Sequence, residues 1–398
     1  MKVLQVNNQL LLGGAETVMH QLHNGLLVHG DQSRMCVALG AGYPHDVVPF
    51  YPRILSRFYH SRFHDFTERC FPRRTWTDRS FRKLARSDAD IIHIHNFHGN
   101  YASIASLGRV AASKKVVWTF HALWGVTGGC DHPRECIRYQ ERCGACPQVG
   151  QWPVGAEDHT AEQLAEKLAL LSGLPLHVVA PSQWLADIVS ASQVGREWKI
   201  HTIPNGVDPA QFAPAERKSE KISILIVNRD FADSRKGYPM VKQALLMVEP
   251  AGIRVVIAGG NSQSAAAELG RRFDCRNAGY VRDRETLAKL YAEADIFLFA
   301  SEVENFPCVI LEAMASECCV VATPSGGVVE QVQDRTSGLL ACAISGEALG
   351  EALRVALGDE ELRIRLGRAA RQRVIENFTE ERMIARYLEL YRDVIREN

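Results

Sequence analysis

Short apolar runs alternate along the chain with segments whose apolar residues recur at helical spacing. "KVLQV", "SRMCVAL", "ADIIHIH", "KKVVWTF", "LPLHVVA" and "WKIHTIP" read as buried strands. "AETVMHQLHNGLLVHG" places Val18, Met19, Leu22 and Leu26 on one helical face and stops at Gly30. "NYASIASLGRVAAS" and "SQWLADIVSAS" read as helices in the same way. The alternation pauses at "IPNGVDPAQFAPAERKSEK", which carries three prolines and ends in dense charge. It then restarts, with "ISILIVN", "IRVVIAGG", "ADIFLFA" and "CCVVATP" as strands and "GYPMVKQALLMV", "RETLAKLYAEA" and "PCVILEAMAS" as helices. Strand–helix alternation of this kind predicts mostly parallel, doubly wound α/β sheets. The pause predicts two of them: an N-terminal domain over 1–205, a linker over 206–220 and a second domain over 221–378. A charged helix over 379–398 would pack back on the first domain. Ligands of open α/β sheets bind at the carboxyl ends of the strands, so the expected site is a cleft lined by both edges.

A length of 398 residues agrees with two domains, and 46% hydrophobic with 23% charged residues is a soluble globular composition. Lys+Arg and Asp+Glu are equal at 46 each, so no global field steers the chain to nucleic acid or membrane. The first residues, broken by Gln5, Asn7, Asn8 and Gln9, do not read as a signal peptide. No apolar run approaches the roughly 18–20 residues that span a bilayer. A cytoplasmic protein with mostly reduced cysteines is expected.

The candidate chemistry falls just after strands. Gly13-Gly14 follows the first strand and opens a helix, where a backbone can approach an anion closely; a plain tight turn is the other reading. His121 ends "KKVVWTF", placed to bond a polar substrate group, or else to serve as a structural histidine. His93 and His95 alternate within one strand and share a face, which favours burial for both. After "ISILIVN" come Arg229, Arg235 and Lys236, cations suited to a diphosphate, with Gly237 before the next helix. In "SEVENFPCVILEAMA", Glu304 and Glu312 flank an apolar stretch in which Pro307 suits a first helical turn. Both can accept hydrogen bonds from sugar hydroxyls beside free helical amides. Two charges at the ends of a buried helix is the competing reading, and Glu302 reads as a solvated loop charge. Gly326-Gly327, with Glu330 one turn on, repeats the strand–turn–helix placement.

Two further segments stand out. Cys130, Cys136, Cys143 and Cys146 give C-x5-C-x6-C-x2-C within a loop over 125–152, with His132 nearby. In a reducing compartment a structural zinc is preferred over two disulfides or free thiols. Residues 53–86 hold ten Lys and Arg against three acids, a net of +7, with Phe58, Tyr59, Phe63, Phe66, Phe71, Trp76 and Phe81 interleaved. That suits peripheral contact with an anionic membrane face; a solvated helix over core aromatics is the alternative.

Together, "GGAE", "TFH", "APSQW", "IPNGVD", "NRDFADSRKG", "SEVENFPCVILEAMA" and "GGVVE", in this order over nearly the whole chain, resemble retaining glycosyltransferase family 4 with its GT-B fold. The cysteine segment resembles an exopolysaccharide subgroup that includes colanic acid glycosyltransferases. Glu-x7-Glu is the most specific element. Two positions depart from the pattern: Ala122 follows the histidine where Asp is usual, and Glu304-Asn305-Phe306-Pro307 replaces Glu-Gly-Phe-Gly. The resemblance implies a nucleotide-sugar donor, UDP- or GDP-linked, and a lipid-linked saccharide acceptor in cell-surface polysaccharide assembly. It implies retention without a catalytic metal or other cofactor. It gives Gly13 and Gly14 to the diphosphate or acceptor and His121 to the transferred sugar. Arg229 and Lys236 go to the departing diphosphate, Glu304 to sugar hydroxyls and Glu312 to the ribose, with Asn305 and Phe306 beside them in the donor loop. The alternatives are a UDP-sugar epimerase, an inactive sugar-binding relative, or a zinc-bearing nucleic-acid binder, which the neutral charge disfavours.

Overall fold

The computed structural model describes residues 1–10, 13–39, 47–50, 73–98, 101–215 and 220–397. The chain divides into two compact units: Met1–Ile203 with Ile384–Asn398, and Pro204–Met383. Each is built on one parallel sheet.

The first sheet comprises β1 (Lys2–Gln9), β2 (Gln32–Leu39), β3 (Val47–Pro49), β4 (Ile91–Ile94), β5 (Lys115–Thr119), β6 (Leu176–Ala180) and β7 (Lys199–Thr202). Its spatial order is β3-β2-β1-β4-β5-β6-β7, so the direction of winding reverses between β1 and β4. β4 and β6 are buried along their whole length. That is why they read as unbroken apolar runs rather than as an alternating pattern.

The second sheet comprises β8 (Ile222–Asp230), β9 (Ile253–Gly260), β10 (Asp274–Gly279), β11 (Ile296–Phe299), β12 (Cys319–Ala322) and β13 (Leu339–Leu340), in the order β10-β9-β8-β11-β12-β13. Here the winding reverses between β8 and β11, paired through Ile224 with Ile296 and Leu225 with Phe297. Apolar clusters cover both faces. One gathers Phe297, Ile310, Leu311 and Met314, and the other Ile224, Ile257, Val241 and Leu349. In a parallel sheet all carboxyl ends share one edge, so residues that follow β8, β11 and β12 converge there.

Of the segment expected as a linker, the described part over 206–215 is packed structure. Val207 and Phe212 are buried, and the backbone of Val207 exchanges hydrogen bonds with Phe378 and Glu380. Its apolar side chains outweigh its prolines, so the second unit starts at Pro204 rather than at 221. The last helix, Glu380–Arg396, buries Tyr387 and Tyr391. The Tyr387 hydroxyl lies 2.8 Å from Thr119 Oγ1, and the Tyr391 hydroxyl 2.6 Å from His93 Nδ1. Among the described residues no helix is long and apolar enough to cross a membrane.

Candidate active site

Two constellations stand at strand ends, one on each unit. On the second unit, Arg229 belongs to the end of β8 and its side chain is exposed. A short 3-10 turn, Ser234–Lys236, follows. Asp233 caps the turn through the Arg235 amide at 3.1 Å and also holds the Arg235 side chain, Nε at 3.0 Å and a terminal nitrogen at 2.8 Å. Burial pushes the Asp233 carboxyl up, but the Arg235 hydrogen bonds and charge prevail and hold it below its ordinary value. That clamp occupies Arg235 and leaves Lys236 as the cation that reaches inward. Gly237 ends the turn at φ +69°, and a Cβ there would lie 2.6 Å from the Ala300 carbonyl. Only glycine suits both the left-handed backbone and that approach.

Lys236 Nζ donates to Glu304 Oε1 at 2.6 Å. The two groups expected to divide diphosphate and sugar between them are therefore an ion pair in this state. Ser301, fully buried, joins the loops: its Oγ lies 3.2 Å from Glu304 Oε1 and 3.1 Å from the Arg235 carbonyl. The Gly327 amide donates to the Glu304 carbonyl at 3.1 Å. The turns after β8, β11 and β12 are thus laced together around Glu304.

Glu312 lies in the helix Cys308–Ala315 and is only 6% exposed. Burial pushes its carboxyl above the ordinary value, and the Arg284 charge and Tyr291 hydroxyl offset that only in part. Neither Glu312 Oε2 nor the Tyr291 hydroxyl has a hydrogen bond of normal geometry among the described residues. A carboxylate this deeply buried, with one oxygen lacking a full hydrogen bond, is costly to keep. Pro307 caps this helix with extended backbone (ψ 126°) instead of entering its first turn, and its carbonyl accepts from Gln331 Nε2 at 3.0 Å. Asn305 is buried. Phe306, expected in the donor loop, turns its ring into the core. It is 3% exposed, packed edge-on against Phe378 at 5.4 Å, and its carbonyl accepts from Asn205 Nδ2. Its apolar ring gains more from the core than from a polar loop.

On the first unit, Gly13 caps the helix Gly14–Val28 in fully extended backbone, a conformation open to any residue. Thr17 Oγ1 and its amide both return to the Gly13 carbonyl at 3.1 Å. His121 follows β5, partly exposed. Its Nε2 lies 3.3 Å from His95 Nδ1, the rings stacked at 5.6 Å and 18°. Burial lowers the His121 pKa to about 4, so the ring is neutral at neutral pH. His93 and His95 are buried, as their shared face implied.

None of the four clustered cysteines is joined in a disulfide; Cys130 is buried and the others are half-buried. Burial pushes the Cys130 thiol up to about 12, and Cys146, Cys143 and Cys136 add to the shift, so the sulfurs are neighbours. Among the described residues, however, no three His, Cys, Asp or Glu side chains are gathered as a metal-ligand set. The loop is held by other means. Lys167 is buried beneath it, donating to the Trp124 and Thr127 carbonyls at 2.5 and 2.8 Å, and the Asp158 carboxylate accepts from the Cys146 amide at 2.7 Å. Of the basic aromatic segment, residues 53–72 lie outside the described residues. In the remainder Phe81 is a core residue and Trp76 packs on the core, so these two rings are not free for a membrane.

The family models decide between the alternatives. That of the group 1 glycosyl transferases matches residues 207–373, and that of Glycosyltransferase Family 4 matches residues 12–211. The chain belongs to Glycosyltransferase Family 4. It is an enzyme of transfer, and its two parallel-sheet, Rossmann-like domains are the GT-B fold. This membership favours transfer over the epimerase and inactive-relative readings. The chain is 26% identical over 360 residues to a protein of Escherichia coli named as a colanic acid biosynthesis glycosyl transferase, WcaC, covering 84% of this chain and 85% of that one. It is 27% identical over 216 residues, 50% of this chain and 56% of the relative, to N,N'-diacetylbacillosaminyl-diphospho-undecaprenol alpha-1,3-N-acetylgalactosaminyltransferase of Campylobacter jejuni. Among solved structures it resembles Anabaena Alr3699/HepE in complex with UDP and glucose. The TM-score is 0.69 at 16% identity, over 98% of this chain and 99% of that one, a likeness of fold.

Proposed function

We propose that this glycosyltransferase moves a sugar from a UDP- or GDP-sugar to a lipid-linked saccharide in cell-surface polysaccharide assembly, with retention of anomeric configuration. The observation that carries the reading is Glu312: a buried carboxylate with an unpaired oxygen, in the helix that follows the Lys236–Glu304 pair. Ribose hydroxyls would give Glu312 the donors it lacks. Lys236 and Arg229 would take the diphosphate, freeing Glu304 for sugar hydroxyls. As the bond between anomeric carbon and diphosphate oxygen breaks, negative charge grows on the leaving group, and fixed cations stabilise it more than the ground state. The acceptor oxygen then bonds to the same face of the anomeric carbon and gives its proton to the leaving phosphate. His121, neutral, would hold a sugar hydroxyl. The lipid-linked acceptor is supported by the name of the Campylobacter jejuni relative and the polysaccharide role by that of the Escherichia coli one. A panel of UDP- and GDP-sugars tests the donor: one should raise the unfolding temperature and turn over. A panel with no stabilising member would remove the reading.

The same proposal includes two accessory features. The clustered thiols would close on one Zn²⁺, which requires the sulfurs to draw in from their present positions. Metal analysis should find about one zinc per chain; four titratable thiols and no metal would sink the idea. The basic segment 53–86 would contact the anionic cytoplasmic face of the membrane, supported by the exposed Arg79, Arg82, Lys83 and Arg86. Flotation with liposomes should rise with anionic lipid content, and equal recovery without it would count against docking.

A further inference from the structure

Three histidines, His93, His95 and His121, share one wall of the first unit, and a requirement for apolar burial would not select them. Their hydrogen bonds have a direction. His95 Nε2 lies 2.8 Å from Gln5 Oε1. An amide oxygen only accepts, so His95 Nε2 carries the hydrogen. Burial keeps His95 neutral, so its Nδ1 is a lone pair. The 3.3 Å contact to His121 Nε2 can then form only if His121 donates from Nε2. His121 Nδ1 is left as an acceptor, and no hydrogen bond reaches it among the described residues.

The amide orientation on which this rests agrees with the groups on its other side. Tyr391 meets His93 Nδ1 at 2.6 Å, and a phenol is the stronger donor of the two, so its proton points to His93. Its oxygen then accepts, and Gln5 turns its amide nitrogen toward it, although at a geometry short of a full hydrogen bond. In the same orientation the Gln5 oxygen faces His95. The His93 ring, 4.1 Å from that of His95, restrains it from swinging away. Gln5 comes from β1, His95 follows β4 and His121 follows β5, so the rigid sheet sets the spacing.

We infer that Gln5 and His95 are positioning residues that lock His121 in its Nε2–H tautomer, so that Nδ1 is presented as an acceptor to a hydroxyl of the sugar in transfer. A neutral acceptor nitrogen selects a hydroxyl over a phosphate oxygen, which has no proton to give. The identity of the bound hydroxyl rests on the proposed donor reading; the tautomer does not.

Long-range proton–nitrogen NMR on the full chain, labelled with ¹⁵N-histidine, reads the tautomer without substrate. His121 is expected with its hydrogen on Nε2 and a bare Nδ1; a hydrogen on Nδ1, or a charged ring at neutral pH, overturns the inference. Gln5→Leu frees His95 to reverse its tautomer. The His121 signals should then move to values averaged between the two tautomers, and kcat/KM for the donor should fall about tenfold, the worth of one hydrogen bond. A single unchanged tautomer with unchanged kcat/KM also overturns it. If Gln5→Leu does not fold, the wild-type spectrum decides alone. A correct tautomer in a protein that turns over no nucleotide sugar would instead count against the donor reading only.

Discussion

Glu312→Gln should make the protein more stable and the enzyme worse. The wild-type carboxylate is 6% exposed, and one of its oxygens has no hydrogen-bond partner among the described residues. Its pKa is raised, chiefly by burial. For an acid raised on folding, the native state binds its proton more tightly than the unfolded chain does. The destabilisation is therefore absent below the ordinary carboxylate range. It grows as pH rises through the window between the ordinary and the raised value, and is complete above it. The amide is isosteric and uncharged. At neutral pH the variant should gain about 1–2 kcal/mol, since an unsatisfied buried group costs about 1–3 kcal/mol. For a unit of this size that is roughly 2–8 °C in Tm. The gain should shrink as pH falls through that window and be gone below it. Donor use should move the other way: a hydrogen bond to a charged acceptor is worth about 1.5–3 kcal/mol, so kcat/KM should drop about 10- to 100-fold. Thermal unfolding across pH, with donor kinetics on the same protein, checks both. A variant less stable at pH 7 and unchanged in kcat/KM would mean that Glu312 is a structural helix charge.

That trade-off also shows what a sequence can and cannot disclose. Glu304 was legible because it lies just beyond a predicted strand, where open α/β sheets bind ligands, and Glu312 because it is a lone carboxylate in the apolar helix that follows. Lys236 was legible for the same reason as Glu304. The choice between Lys236 and Arg235 was not, because it depends on Asp233 closing a two-pronged clamp on its neighbour. Ser301 gave no signal, since a serine shows its worth only when three turns meet around it. The inward turn of Phe306 was not legible, because loop position says nothing about which way a ring turns and Phe378 lies far along the chain. β10, Asp274–Gly279, was missed because an edge strand rich in polar residues lacks the apolar run of its buried neighbours. The histidine wall was half-legible. Period two put His93 and His95 on one face, but Gln5 is 90 residues away from His95 and Tyr391 is 298 from His93. Only the folded sheet brings them together.

Lys236→Ala should produce the largest kinetic loss in the molecule with little loss of stability. The pair with Glu304 measures 2.6 Å, but the Lys236 side chain is 32% exposed and that of Glu304 14%. Partly solvated pairs contribute about 0–1 kcal/mol after screening and side-chain entropy, so Tm should shift by a few degrees at most. The kinetic effect rests on a different moment. Negative charge on the departing diphosphate peaks in the transition state, and a preorganised cation there acts without reorganising. Loss of one such preorganised group costs about 10²- to 10³-fold in kcat, with KM changed far less because the ground state gains less from it. Lys236→Arg separates charge from geometry. A planar guanidinium keeps the charge but places it differently, and should recover part of the loss. Glu304→Ala supplies the control for the ion pair itself. If the pair were only a structural brace, Glu304→Ala and Lys236→Ala would cost the same and the double variant no more than either. If instead Lys236 meets the leaving group and Glu304 the sugar, the two losses should differ in kind: kcat for Lys236→Ala, discrimination among donor sugars for Glu304→Ala. Steady-state kinetics on wild type and the four variants decides. A kcat for Lys236→Ala within twofold of wild type would move the leaving-group charge to Arg229 alone.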